Sequence, residues 1–157
     1  MVMKGLGPLL ASVAFLAAGC ASPPLSTRSA LELQAIQAKE FDCTKQLAFA
    51  ATLSVFQDLG YIVSSANVDT GLITAKSPTQ QSFDLFRGFR MQDRKATAFI
   101  EDVGVKRTKI RLNFVDSTHT SGAYGMRSEQ DTPIETPEIY QETFQKIQQA
   151  IFIRKNL

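Results

Sequence analysis

An uncharged, apolar stretch near the start of the chain, residues 5–18, indicates the compartment in which the rest of the chain folds. It follows a short segment whose one charge is Lys4, and it ends just before Cys20. Its 14 residues match the apolar part of a secretory signal and fall short of the roughly 20 that a spanning helix needs. Pro8 also argues against a regular membrane helix. We therefore predict that residues 1–19 are a signal peptide.

Cys20 makes this interpretation more specific. The sequence LAAGC at positions 16–20 resembles the lipobox of bacterial lipoprotein precursors, although Ala17 stands where Leu is commoner. The resemblance implies that the Cys20 thiol receives a diacylglycerol, that the leader is cut before it and that the new amino group is acylated. In that family an Asp directly after the cysteine retains the protein in the inner membrane. Ala21 stands here instead, which implies the periplasmic face of the outer membrane. The alternative is a secreted protein with a chance cysteine at the cleavage site.

Composition predicts one small domain behind this anchor. Residues 20–29 are rich in Ser, Pro and Ala, which is typical of a tether, and residues 30–157 are enough for a single domain with a core. The chain has 17 basic and 15 acidic residues, and this near balance argues against a nucleic-acid partner. Cys43 has no partner within the chain, which leaves a buried thiol or an intermolecular disulfide, and we favour an inert, partly buried thiol.

Apolar spacing predicts two helices. The first spans residues 44–59, where Thr44 or Asp42 can cap it and Gly60 can end it. The second begins at Thr136-Pro137-Glu138, a sequence typical of a helix start, and continues with apolar residues at helical spacing. Residues 31–41 alternate like a strand but have helix-favouring composition, and we favour the strand.

Two hairpins are predicted between the helices. The first joins residues 61–68 to 72–76, and the second joins 94–103 to 105–117 around Gly104. Alternation in the last strand points Ile110, Leu112 and Phe114 to the core. The predicted order is β-α-β-β-β-β-α, an α+β fold in which two helices pack on one face of an antiparallel sheet of four to five strands.

Most of residues 40–153 resemble small bacterial lipoprotein domains. The helix followed by LGYIVSSANVDTGLITAKS is similar to domains of the BamC type, from the outer-membrane β-barrel assembly machine. The terminal helix resembles those of other small lipoproteins through Pro137, Tyr140, Phe144, Ile151 and Phe152. These resemblances imply a fold and a compartment, and they imply no reaction.

The sequence contains no motif of a known catalytic chemistry. The one histidine, His119, lies in DSTHTSG, and we interpret it as a solvated loop residue because no G-x-S-x-G elbow accompanies it. One histidine and one free cysteine make no metal site of the usual kinds, and no glycine-rich phosphate loop is present. We therefore expect no enzyme activity, no cofactor and no metal.

Two long connections are the best candidates for binding. In residues 77–93, Phe83, Phe86 and Phe89 recur every three residues with basic side chains between them. The second, residues 118–136, is rich in Gly, Ser and Thr and is predicted to be a mobile docking loop. The candidate contact residues are Phe83, Phe86, Arg87, Phe89, Arg90, Tyr124 and Met126. They could contact a partner or a lipid surface, or the Phe residues could cap an open edge of the core.

Charge is unevenly distributed between two regions. Residues 84–111 contain eight basic and four acidic residues, whereas residues 116–142 contain six acidic and one basic. These regions could steer a partner, or they could be neighbours that cancel. We predict an envelope-protein partner and a scaffold or binding role, such as an accessory subunit of an assembly or secretion complex. The alternative is a binder of a lipid or small apolar ligand, held between a helix and the sheet.

Overall fold

The computed structural model describes residues 28–84, 88–121 and 127–156, except for the side chains of Phe83, Asp84 and Gly88. The predictions for the signal peptide and Cys20 concern residues outside this part. Within it, the helices are α1 (Ala30–Gln37), α2 (Lys45–Asp58) and α3 (Pro137–Lys155). The strands are β1 (Ala38–Phe41), β2 (Ile62–Asn67), β3 (Leu72–Lys76), β4 (Gln80–Asp84), β5 (Gly88–Gly104), β6 (Arg107–Ser121) and β7 (Arg127–Pro133). The fold is α+β, as predicted, with more elements than the predicted two helices and four to five strands.

The first element corrects the prediction of a strand over residues 31–41, since most of this segment is helix α1. Ser29 and Glu32 form a capping box: the Ser29 hydroxyl accepts from the Glu32 N–H, and the Glu32 carboxylate accepts from the Ser29 N–H. Only β1 is extended, and it pairs with β6. The apolar alternation was misleading because α1 buries none of its residues. The capping box at Ser29, rather than the burial of apolar residues, therefore favours a helix in this segment.

The two longer helices and the two hairpins are confirmed. Thr44 caps α2 by accepting from the Leu47 N–H, and Gly60 follows the helix with a left-handed φ of 81°. Thr136 precedes α3, with Pro137 in its first turn. The β2–β3 and β5–β6 hairpins are both present, and the second extends well beyond the predicted strand ends.

The long hairpin divides the antiparallel sheet into two halves. In the proximal half, β5 pairs with β3 and β6 pairs with β1, giving the order β1-β6-β5-β3-β2. In the distal half, the other ends of β5 and β6 pair with β4 and β7. The distal half corrects the prediction that residues 77–93 and 118–136 are loops. Their sequences lack the strong apolar alternation of a strand because most of their side chains remain in contact with solvent.

The core lies between α2, α3 and the proximal half of the sheet. Phe114 is at its centre, and its ring centroid lies 6.4 Å from that of Phe56 and 5.3 Å from that of Tyr140. The predicted inward residues of β6 are all buried: Ile110, Leu112 and Phe114. Cys43 is also buried, and this burial raises the pKa of its thiol. A raised pKa disfavours the reactive thiolate, as expected of an inert cysteine.

Candidate functional site

Backbone register brings the two predicted binding segments to one end of the sheet. Phe83 of β4 is opposite Phe89 of β5, Phe89 is opposite Ser121 of β6, and Ser121 is opposite Arg127 of β7. We call this row of four residues the distal end. The β4–β5 and β6–β7 connections both leave the sheet from it. Segments that are about 40 residues apart in the sequence therefore originate side by side.

The structure locates some of the predicted contact residues. Phe89 and Arg90 are both exposed on β5, and Phe89 has 55% of its surface accessible. Phe83 lies on β4, where only its backbone is described. Four others lie outside the described residues, as does Cys20: Phe86, Arg87, Tyr124 and Met126.

Strand geometry changes how the aromatic and basic residues are displayed. In a helical turn, the aromatic residues would lie on one side and the basic residues on the other. In a strand, successive residues point to opposite faces of the sheet. Phe89 and Met91 therefore share one face, and Arg90 lies on the other. The exposure of Phe89 also does not agree with its capping the core.

The face of the sheet away from the helices carries a buried carboxylate. Ala96, Ala98 and Ile100 of β5 face the helices, so Asp93 faces the other way. Only 1% of the Asp93 side-chain surface is accessible, yet neither of its carboxylate oxygens accepts a hydrogen bond from any described residue. Lys76 Nζ lies 3.4 Å from one of these oxygens, and His119 Nε2 lies 3.5 Å from the other.

His119 is consequently not the loop residue that the sequence indicated. It lies on β6 opposite Met91, and 37% of its side-chain surface is accessible. Its Nε2 faces Asp93, and its Nδ1 is 4.0 Å from a carboxylate oxygen of Glu129. A histidine placed between two carboxylates is part of a polar cluster rather than a solvated loop.

A second set of polar contacts continues from this cluster across the same face. Asp131 accepts a hydrogen bond of 2.5 Å from the Ser117 hydroxyl, and Lys95 donates to Asp131 at 3.1 Å and to Glu129 at 3.4 Å. The Ser117 hydrogen bond, and then that of Lys95, lowers the pKa of Asp131. The hydrogen bond to Asp131 is the main reason that the pKa of Lys95 is raised. Both pKa shifts favour the charged forms of Asp131 and Lys95. The contacts between these charged groups therefore stabilise the register of β5, β6 and β7.

These contacts decide between the two interpretations of the uneven charge. On the opposite face of the distal half, Arg94 makes a two-pronged pair with Asp116, at 2.7 and 3.3 Å. The hydrogen bond that Arg94 donates to the Asp116 carboxylate raises the pKa of the Arg94 guanidinium. Arg94 and Lys95 of β5 thus pair with acidic residues of β6 and β7. At these pairs the two charged regions are neighbours whose charges cancel.

An open groove of about 680 Å³ runs beside the polar cluster. Its lining residues include Lys76, Asp93 and His119, together with Arg127 and Glu129 of β7. Thr79, Thr120, Ser121 and Ser128 also line the groove, although the side chains of Thr120 and Ser128 alternate to the other face of the sheet. The groove reaches Ser121 and Arg127, so it adjoins the distal end.

Other properties bear on the kind of site. Within the described ranges, no group of three or more His, Cys, Asp or Glu residues is placed to hold a metal ion. No helix in the same ranges has the length and hydropathy needed to cross a membrane. The chain matches no protein-family model and no curated protein. The function of the site must therefore be inferred from its own geometry.

Proposed function

We propose that this protein is a lipid-anchored, non-catalytic binding module on the periplasmic face of the outer membrane, and that its distal end docks an envelope protein. The observation that supports this most is the convergence of both predicted binding segments on one end of the sheet. A module of this kind would serve as an accessory subunit of an envelope assembly or secretion complex.

The side chains near the distal end favour a protein as the partner. Phe89, Met91, Arg90 and Arg127 are of the types that are enriched at protein interfaces, and Arg is also frequent among the residues that dominate binding energy. Glu129 on the same strand as Arg127 makes the charge mixed in sign. An anionic lipid surface would instead favour an excess of basic residues.

The edges of the distal half offer a second means of contact. β4 pairs only with β5, and β7 pairs only with β6, among the described strands. Each of these strands therefore presents a row of backbone N–H and C=O groups on its outer side. An extended segment of a partner can add to such an edge, with backbone hydrogen bonds giving affinity and side chains giving specificity.

The polar cluster is consistent with a non-catalytic role. A nucleophilic serine needs a base within hydrogen-bond reach. The Ser117 hydroxyl instead donates to Asp131, which is itself paired with Lys95. His119 Nε2 lies 3.5 Å from a carboxylate oxygen of Asp93, and its Nδ1 lies 4.0 Å from one of Glu129.

The alternative function, a lipid or apolar ligand held between a helix and the sheet, finds less support. The space between α2, α3 and the proximal half is occupied by the rings of Phe56, Phe114 and Tyr140, all at most 1% exposed. A ligand there would have to displace these side chains. We therefore give priority to the docking function.

The anchor is tested by the mass of the mature chain. We expect the protein isolated from its host to begin at Cys20 and to carry the mass of a diacylglycerol and an additional acyl chain. Cys20→Ser should remain unprocessed, because the thiol that accepts the lipid is absent. A wild-type chain that begins at Cys20 without lipid would mean that the protein is secreted and unanchored.

Docking is tested by recovery of a partner from crosslinked envelopes. Phe89→Ser should reduce this recovery about tenfold or more, since an aromatic anchor at an interface contributes about 2 kcal/mol. The matched control is Phe99→Ser. Phe99 lies ten residues away on the same face of β5, is 42% exposed, and belongs to the proximal half.

The comparison of the two variants separates the possible outcomes. Loss of the same envelope protein in Phe89→Ser, with recovery unchanged in Phe99→Ser, supports docking at the distal end. Equal recovery in both variants contradicts it. Loss of binding to anionic vesicles in Phe89→Ser, with no change in any protein partner, would assign the distal end to a lipid surface instead.

A further inference from the structure

Strand β2 is an outer edge of the sheet that lacks the usual protection against pairing with another strand. Among the described strands it pairs only with β3, so its other side presents a row of backbone N–H and C=O groups. Charged side chains and proline commonly protect such an edge. β2, with the sequence IVSSAN, contains neither. By contrast, the edge strands β1 and β7 both carry charges, and β7 ends at Pro133.

The segment around β2 is exposed and yet uncharged. Residues 59–68 contain no charged residue, although charged residues make up 20% of the chain and most of this segment is exposed. Ile62 has 66% of its surface accessible, and Val68 has 38%. Depletion of charge is the compositional feature that distinguishes the centre of a protein interface from other surface. These properties favour burial of the β2 edge in an assembly.

A bulge interrupts the alternation of side chains along β2. Val63 and Ser65 are opposite consecutive residues of β3, so Ser64 is an extra residue between them. An uninterrupted strand would direct residues 62 and 67 to opposite faces of the sheet, because side chains alternate along a strand. The extra residue brings both ends of β2 to the same face.

This arrangement makes β2 complementary to an antiparallel copy of itself. A twofold axis at the centre of the strand pairs every residue with one of the second copy: Ile62 with Asn67, Val63 with Ala66, and Ser64 with Ser65. The β3 residues opposite the first pair are exposed, and those opposite the second pair are buried against the helices. The members of each of these pairs therefore share a face, as residues opposite each other on antiparallel strands must. No charges meet in this register.

We propose that two copies of this protein associate by antiparallel pairing of their β2 edges, which joins their sheets into one continuous sheet. The interface is isologous, because the same strand of both copies forms it. All helices of the dimer then lie on one face of the joined sheet. The proposal is independent of docking at the distal end, since no residue of β4 or β7 takes part. Together the two would give an assembly with two docking sites.

The test is sedimentation equilibrium of the full-length protein, purified from its host in a detergent whose density is matched by the buffer. We expect a dimer, with a Kd of about 100 μM or lower. Ser65→Lys should weaken association about tenfold or more, because the two introduced ammonium groups lie beside each other at the twofold axis. Ser65→Glu should have the same effect for the same reason. An equal mixture of the two variants should recover association, because opposite charges then meet across the axis.

The matched control is Ser128→Lys, at an exposed serine on the edge strand β7. It should leave association unchanged, and circular dichroism checks the fold of each variant. If a variant of Ser65 unfolds, the same two substitutions at Ser64, the other serine at the axis, replace it.

Four results would overturn the proposal. The first is a protein that remains a single chain at about 100 μM, and the second is equal association of Ser65→Lys and the wild type. The third is an equal loss in Ser65→Lys and Ser128→Lys. The fourth is a mixture of folded Lys and Glu variants that fails to associate, which would place the contact between copies away from the β2 edge.

Discussion

Replacing Phe114 by alanine is expected to lower the free energy of unfolding by about 3–5 kcal/mol, which is typical for a buried Phe. Phe114 is 1% exposed, and its ring contacts those of Phe56, Tyr61 and Tyr140. These partners come from α2, the segment after it and α3, so they cannot collapse together into the space left behind. The loss is a large part of the total stability of a small domain, about 5–15 kcal/mol.

Denaturant unfolding followed by circular dichroism measures this loss. The matched control is Phe152→Ala, on α3, where 69% of the Phe surface is exposed. The control should change the free energy of unfolding by about 0.5 kcal/mol or less. Equal losses in the two variants would mean that Phe114 is not at the centre of the core.

Gly71→Ala is expected to have the second-largest effect, about 3 kcal/mol, from two separate causes. Gly71 has a left-handed φ of 75°, which costs about 1–2 kcal/mol for a residue with a Cβ. An added Cβ would also lie 2.0 Å from the carbonyl oxygen of Ile100. The β2–β3 turn and β5 would have to separate there, although the Ile100 N–H donates to the Gly71 carbonyl at 2.8 Å. Such overpacking costs about 1–3 kcal/mol.

Gly60→Ala isolates the first cause. Gly60 also has a left-handed φ, of 81°, but no atom lies within 4 Å of the position of its added Cβ. We expect a loss of about 1–2 kcal/mol, clearly smaller than that of Gly71→Ala. The measurement is the shift of the urea midpoint in both variants. A loss at Gly60 as large as that at Gly71 would show that the contact with Ile100 has no energetic effect.

The proximal half of the fold could be predicted because its buried residues recur in the sequence with the period of a strand or a helix. Ile110, Leu112 and Phe114 alternate with polar residues since one face of β6 packs on helices, and α2 and α3 carry apolar stripes for the same reason. The turn at Gly71 also has a local signal. Helix α1 was missed because it buries no residue, so its sequence shows capping at Ser29 more clearly than any apolar stripe.

The distal half could not be predicted because little of it is buried. All seven residues of β7 are exposed, and its sequence RSEQDTP has the composition of a loop. β7 is held in place by contacts with other strands. These are its backbone pairing with β6, the Ser117–Asp131 hydrogen bond and the ion pairs of Lys95. Contacts between residues so distant in the sequence leave no local periodicity.

The candidate site was predicted in part for the same physical reason. The row of Phe residues was visible in the sequence, and it directed attention to the segment that contains Phe89. The cluster of Lys76, Asp93 and His119 was missed, because it depends on the register of three strands. A signal was present in the spacing of Met91, Asp93 and Lys95, which alternate on β5, but it could be used only once β5 was known to extend to Gly88.

The most direct test of the docking function places a photoreactive phenylalanine analogue at position 89 or, as control, at position 99, in the full-length protein in its host. Illumination should join position 89 to one envelope protein and leave position 99 without that product, because only the distal end contacts the partner. The same product from both positions, or a product from position 99 alone, would contradict docking at the distal end.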